Sequence, residues 1–283
     1  MIRLAAQQVV AAWEGNRAAL EAVVRAAERP VFNLAMRMLA NRADAEDATQ
    51  EILVKIVTHL GSIRDVDAAG AWAFKIACRY LVQQRKRGAV EAMQLSFEGF
   101  AADLEMGLSP PSDHGLNEAE VRLAVSEVKV GCTLAMLVCL SRDLRIAYIL
   151  GDIFEVTDTE AAAVLEIDPA AYRQRLRRAR SAVTAFVTKS CGVVSEEAPC
   201  RCEQRVGQAL RIGRVVKGKP DLLSGPDDVH SLADIRSRIK LIERGRASAA
   251  LLRSNPEFTS HVGQLVMSLM DTKSLITNPL EKG

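Results

Sequence analysis

Apolar positions along the chain recur at helical rather than strand spacing. Ile52, Leu53, Ile56, Val57 and Leu60 fall on one helical stripe, and Trp72, Ile76, Ala77 and Tyr80 form a second. Asn41 to Asp44 and Gly61 to Gly70 interrupt the period and read as connections. Residues 1–88 are therefore predicted as one helical domain. Gly99, Gly107, the run Ser109-Pro110-Pro111-Ser112 and Gly115 break any long helix, so 89–117 reads as a linker. Helical periodicity returns over 118–189, a second predicted domain. From Ser190 the composition changes to a cysteine cluster, a Gly-rich stretch ending in Lys217-Gly218-Lys219-Pro220, and helical patterning over Ser231 to Leu275. Residues 190–283 are thus a Cys-containing junction and a helical C-terminal extension. The predicted fold is all-α.

The second domain carries the sharpest local signal. Thr157-Asp158-Thr159-Glu160 fits a capping box and starts a short helix running from Asp158 to about Leu165. Asp168-Pro169 fits a second helix start, with Asp168 as N-cap and proline in the first turn, where a missing N–H costs nothing. Only Glu166 and Ile167 lie between, which predicts a helix-turn-helix. On the second helix Tyr172, Leu176, Ala179 and Val183 share an inward face. Arg173, Arg177 and Arg180 then point outward, with Arg175 and Arg178 on the flanks. Such a helix can lie in a major groove and reach phosphates or the edge of guanine; the bland alternative is a helical hairpin with a solvated face.

Composition narrows the class. The chain has 283 residues, 49% hydrophobic and 25% charged, which excludes wholesale disorder, a collagen-like repeat and a disulfide miniprotein. Only 4% are aromatic, which leans away from a β-sandwich. The uncharged run Val130 to Leu140 is far short of the ~20 apolar residues that span a bilayer, so no membrane insertion is expected. The N-terminus turns polar too soon for a signal peptide, which predicts a cytoplasmic protein whose six cysteines are thiols or metal ligands. Net charge is only +2, yet it is unevenly spread. Arg79, Arg85, Lys86 and Arg87 form one basic cluster and Arg173 to Arg180 another, while Asp44, Glu46, Asp47 and Glu51 form an acidic one. Separate anionic and cationic partners are the natural reading.

These blocks occur in a familiar order. Asp44-Ala45-Glu46-Asp47-Ala48-Thr49-Gln50-Glu51-Ile52-Leu53 resembles the acidic "DAEDxxQExF" segment of region 2 in bacterial sigma factors of the extracytoplasmic-function (ECF, group IV) class of the sigma-70 family. Ala71-Trp72-Ala73-Phe74-Lys75-Ile76-Ala77 is similar to the Trp-containing segment that follows it. Leu140 to Arg145 stands where the family begins region 4 with an "LPxxxR"-like start, and Gln174-Arg175-Leu176-Arg177-Arg178-Ala179-Arg180 resembles its "SRLxRAR" recognition helix. The likeness covers roughly Ala18 to Val187. It implies a specificity subunit of RNA polymerase, not an enzyme, with no required cofactor. Asp44, Asp47, Gln50 and Glu51 would face the polymerase β′ clamp helices, and region 4 the β flap. Lys75, Arg79, Arg85, Lys86 and Arg87 would face the downstream promoter element, with an unstacked base held near the Ile63 to Ala69 loop. Arg173, Gln174, Arg175, Arg177 and Arg178 would read the upstream element. An anti-sigma factor is a further candidate partner. The chain departs from the pattern at Cys78, Thr49 and Ser141, and Phe154-Glu155-Val156-Thr157 stands where the family has the Gly of a "GxSxxE" segment.

Two matters stay open at this level. Cys191, Cys200 and Cys202, spaced C-x8-C-x-C, suit a zinc ion with a fourth ligand, a thiol redox switch whose pKa Arg201 and Arg205 would lower, or merely incidental cysteines. His230 or His261 could complete a metal site only if the tail folds back. Cys78, Cys132 and Cys139 read as small core residues. The tail, with its stripe Leu251, Leu252, Phe258, Val262, Leu265, Val266 and Leu269, needs a surface to cover it. The competing function is a helix-turn-helix regulator that acts without polymerase. No Gly-rich phosphate loop, HExxH or GxSxG is present to support an enzyme.

Overall fold

A computed structural model describes residues 2–83, 89–108, 115–223, 231–240 and 244–271, and the described residues form helices without a sheet. The N-terminal block holds α1 (Ala6–Trp13), α2 (Arg17–Leu39), α3 (Arg42–Thr58) and α4 (Ala69–Gln83). Asn16 and Asn41 cap α2 and α3, their side chains accepting from the amides of Ala19 and Asp44. From Val31 to Leu39 every residue of α2 is buried, because α3, α4, α7, α8 and α14 all pack around it. It is the central helix of the molecule.

The segment predicted as a linker contains α5 (Ala89–Ala92) and the ten-residue α6 (Phe97–Met106). Ser96 caps α6 through the amide of Gly99, so that glycine sits in the first turn, where it interrupts nothing. Phe97 and Phe100 then pack on Phe186, with ring centroids 5.1 and 5.4 Å away.

The second block comprises α7 (Glu118–Val138), α8 (Arg142–Tyr148) continuing as a π-helical segment (Ile149–Ile153), α9 (Asp158–Leu165) and α10 (Pro169–Ser190). The turn widens at Gly151, where a Cβ would stand 2.8 Å from Tyr172 Oη and from a methyl of Leu176. Only glycine lets α10 approach this closely. Both predicted caps form: Thr157 and Glu160 make a reciprocal box, and Asp168 accepts from the Ala170 amide at 2.7 Å. Thr157→Ala is expected to cost about 1 kcal/mol of stability, readable as a lowered melting temperature with the fold retained.

The tail supplies α11 (Cys202–Arg211), α12 (Leu232–Lys240), α13 (Arg244–Arg253) and α14 (Val262–Asp271). It packs back on both blocks: α11 on α7, α13 on α10 and the π segment, and α14 on α2 and α3. One continuous apolar core runs from Ile2 through Leu53, Leu137 and Tyr172 to Phe258 and Val266. The blocks that separate in the hydropathy pattern therefore share an interior here. No helix of the described residues is long and apolar enough to cross a membrane.

Candidate nucleic-acid interface

The arginine helix has the predicted polarity. Tyr172, Leu176, Ala179 and Val183 are buried, while Arg173, Gln174, Arg177 and Arg178 are exposed. Tyr172 donates to the Ala147 carbonyl at 3.1 Å, which locks α10 onto α8. Two arginines of the row are engaged: Arg175 with Asp143 at 3.2 Å, and Arg180 in a fork on Asp152 at 2.6 to 3.0 Å. Among the described residues Arg173, Arg177 and Arg178 have no carboxylate within ion-pair reach. An unneutralised row of guanidinium groups on a helix rigidly held by its opposite face is equipped to bind phosphates and base edges.

The α3–α4 pair forms the second candidate surface. Asp47 and Glu51 are one turn apart and exposed; Gln50 is half-buried, and Asp44 accepts from the Ala89 amide at 2.6 Å. Thr49 is fully buried and donates to the Ala45 carbonyl at 2.6 Å, so an aliphatic position of the family pattern is filled by a hydroxyl that satisfies itself within the helix. Cys78 lies in the α4 core face, where burial pushes its thiol up. Beside the acidic turn opens a cavity of about 540 Å³ lined by Lys55, His59, Trp72, Ile76, Arg79 and Tyr80. Burial and the carboxylates of Glu51 and Asp47 raise the Tyr80 hydroxyl above its usual pKa, which links the acidic turn to this cavity. Half-buried Trp72 lines it, whereas Ile63 and Ala69 are buried, so the cavity sits on the helix side of the loop. Lys75 and Arg79 both reach Glu166, in the turn of the helix-turn-helix, Lys75 at 2.7 Å. The Lys75 ammonium and the Arg79 charge hold the Glu166 carboxyl below its usual pKa. Arg85, Lys86 and Arg87 lie outside the described residues.

The three tail cysteines meet, and Cys132 joins them. Cys191 and Cys200 pair across a parallel bridge, with the Gly192 amide bonding the Cys200 carbonyl at 3.1 Å, and Cys132 on α7 lies within electrostatic range of all three. Burial dominates their chemistry, contrary to the expectation from Arg201 and Arg205. Cys200 is raised to about 11 and Cys202 to about 12 by burial and by the neighbouring thiols, and Cys132 and Cys191 also lie above their usual value. Arg201 turns to the carbonyls of Cys200 and Glu196, and Arg205 to Asp103. Among the described residues no group of three or more His, Cys, Asp or Glu side chains is arranged to hold a metal ion, so this arrangement lends a zinc site no support. His261 is exposed, and His230 lies outside the described residues.

Comparison with known proteins agrees with this geometry. Sigma-70 region 2 matches residues 23–89, which spans α3, α4 and the cavity between them. The ECF RNA polymerase sigma-E factor of Escherichia coli (strain K12) is 29% identical over 178 residues, covering 60% of this chain and 87% of that protein. The ECF RNA polymerase sigma-E factors of Shigella flexneri and Salmonella typhimurium (strain LT2) match over the same length at the same identity. The chain is an ECF-type sigma factor of the sigma-70 family. In this sigma factor the "LPxxxR"-like arginine, Arg145, is buried and donates to the carbonyls of Leu137, Val138 and Leu140 at 2.9 to 3.2 Å, to that of Met38, and to Glu91. It ties α8 to α2 and to α5. The departure at the "GxSxxE" segment also has a physical reason. Glu155 adopts a left-handed φ of 53°, which favours glycine, and its carboxylate pairs with Arg253 of the tail.

Proposed function

We propose that this sigma factor binds core RNA polymerase through the α3 face of Asp44, Asp47, Gln50 and Glu51 and directs promoter-specific initiation. Region 2 would meet the downstream element through Lys75, Arg79 and the run Arg85, Lys86 and Arg87. Region 4 would read the upstream element through Arg173, Gln174, Arg175, Arg177 and Arg178. The observation that carries this reading is the unpaired row Arg173, Arg177 and Arg178 on a capped recognition helix, within the same chain as the exposed Asp47–Glu51 turn. The cavity between α3 and α4 offers an aromatic wall and cationic rim to an extruded base, and holding that base shifts the duplex toward the open form without any chemical step. The protein is an initiation factor rather than an enzyme, and no step here needs a cofactor.

Run-off transcription with core polymerase and genomic fragments tests this reading directly. Discrete transcripts that appear only with this chain are expected; a repressor would bind DNA alone and direct none. Replacing Arg173 and Arg177 together by Ala is expected to weaken upstream-element binding by about 2 to 4 kcal/mol, since a bidentate base contact contributes ~1–3 and a phosphate contact less. Stability should hold, because neither side chain touches the buried Tyr172–Leu176 face. Unchanged affinity with an unchanged salt slope would remove α10 from the interface.

A further inference from the structure

The tail does not rest on one half of the molecule. On the region 2 side, the Asn33 carboxamide donates to the Phe258 carbonyl at 2.8 Å and accepts from its amide at 2.9 Å. Glu28 accepts from Ser260 Oγ at 3.0 Å and from the Gly263 amide at 2.8 Å. On the region 4 side, buried Lys129 donates to the Ser254 carbonyl at 2.9 Å, Thr133 bonds Asn255, and Arg253 pairs with Glu155. At the junction the Arg37 guanidinium of α2 lies between the rings of Phe154, 5.5 Å away, and Phe258, 5.1 Å away. Residues 253–263 therefore grip both halves at once. A second tie lies at α4: α9 packs against it, and Glu166 takes both Lys75 and Arg79.

We propose that the C-terminal tail is a strap that holds regions 2 and 4 closed on each other, and that opening it frees the Lys75–Arg79 edge of α4 for DNA. The proposal rests on the reading of that edge as DNA-facing. In the closed form a carboxylate occupies both cations, and the helix-turn-helix covers their flank. Separating the halves requires tail contacts to break on one side, so the strap adds its own contacts to the cost of opening. Asp47 and Glu51 stay exposed throughout, so polymerase can bind before the strap opens. A binding-competent state that is rarely populated lowers apparent affinity by its population, so a chain closed about nine-tenths of the time binds DNA about tenfold more weakly than an open one.

The test uses the full chain with both changes on the tail, so that neither half is touched. A Cβ at Gly263 would stand 2.5 Å from Glu28 Oε2 and 3.4 Å from Val24 Cγ1; Gly263→Phe therefore lifts α14 from α2. Arg253→Glu sets like charge against Glu155. The double variant is more acidic than the parent, so charge alone predicts weaker DNA binding, whereas strap opening predicts tighter binding. The probe is a fluorescein-labelled mixed-sequence duplex with a single-stranded end, read by anisotropy, beside small-angle scattering of the free protein. The expected result is about tenfold tighter binding, a larger radius of gyration and unchanged affinity for core polymerase. An unchanged radius with equal or weaker DNA binding overturns the strap. If the double variant fails to fold, Arg253→Glu alone decides: a larger radius of gyration with tighter DNA binding supports the strap, and an unchanged radius with equal or weaker binding overturns it. A parent chain that neither binds core polymerase nor supports run-off transcription overturns the functional reading instead, and the scattering result still judges the strap.

Discussion

An Arg145→Ala variant is expected to lose about 3 to 5 kcal/mol of stability, enough to leave little of a typical domain's margin. The reason is the number of groups that one guanidinium serves. Its five donors are shared among the carbonyls at the end of α7, the Met38 carbonyl at the end of α2 and the Glu91 carboxylate. The side chain is 3% exposed and that of Glu91 is 8%, so water replaces none of these bonds cheaply. Helix C-terminal carbonyls carry partial negative charge, which a buried cation offsets. Arg142 also bonds Glu91, but its side chain is 19% exposed and so stands nearer solvent, so Arg142→Ala should cost less. Chemical denaturation of the two variants, compared at pH 7, checks the ranking. Acid gives an independent check. Burial by itself would raise Glu91, yet the bonds from Arg142 and the charges of Arg145 and Arg142 hold it below its usual value. A depressed carboxyl stabilises the fold above its unfolded pKa of about 4.3. That contribution fades as pH falls through the lower folded value, so the parent should lose stability below about pH 4 more steeply than a Glu91→Gln variant.

What could be read from the sequence was what neighbouring residues decide. Thr157–Glu160 and Asp168–Pro169 set the two helix starts of the helix-turn-helix by bonds spanning two or three residues, and both caps form where expected. The inward face of α10 follows from spacing alone, as does the exposed Asp47–Glu51 turn. What stayed hidden is fixed by partners far along the chain. Nothing near Asn33 announces Phe258, and nothing near Lys75 announces Glu166. Glu127 is the same case. Buried in α7, it accepts the amides of Asp221, Leu222 and Leu223, and thereby pins the chain just beyond the Gly-rich stretch that ends at Pro220. Gly99 and Gly107 hide the α6 helix in the sequence, because each reads as a break. The apolar pair Phe97 and Phe100 was the signal that could have found it, since such a pair needs a surface, and Phe186 provides one.

The departures from the family pattern gain sense from the same long-range contacts. Glutamate at a left-handed φ is strained, and such a residue persists where the surroundings hold it. Here the holder is Arg253, which a family member without this tail would lack. Thr49 is simpler: it is buried in α3, where a self-satisfied hydroxyl packs as an aliphatic would, whereas Cys78 puts a buried thiol on α4 where the family pattern has an arginine. None of these three residues lies on the exposed rows of α3 and α10: Glu155 bears on how the tail is held, and Cys78 and Thr49 on packing within the N-terminal block.

That separation sets up the second large effect. Reversing both Asp47 and Glu51 to Lys is expected to abolish core-polymerase binding at physiological salt. Each substitution turns an attractive contact with a basic partner into a repulsive one, and like-charge juxtaposition at an interface costs several kcal/mol. Two such contacts together correspond to a loss of about a thousandfold or more. Both side chains are exposed on one turn of α3, while Ala48, Ile52 and Leu53 hold the helix from its opposite face, so the fold should survive the exchange. The exchange should also lower the Tyr80 hydroxyl, which burial and the carboxylates of Glu51 and Asp47 now raise. Copurification of core subunits with a tagged chain reads the binding, and anisotropy on upstream-element DNA reads region 4 in the same preparation. The expected pattern is loss of polymerase with no loss of DNA binding by α10. Retained polymerase would move the docking surface away from the Asp47–Glu51 turn. Loss of both activities with a lowered melting temperature would mean that the exchange unfolded region 2 rather than emptied an interface.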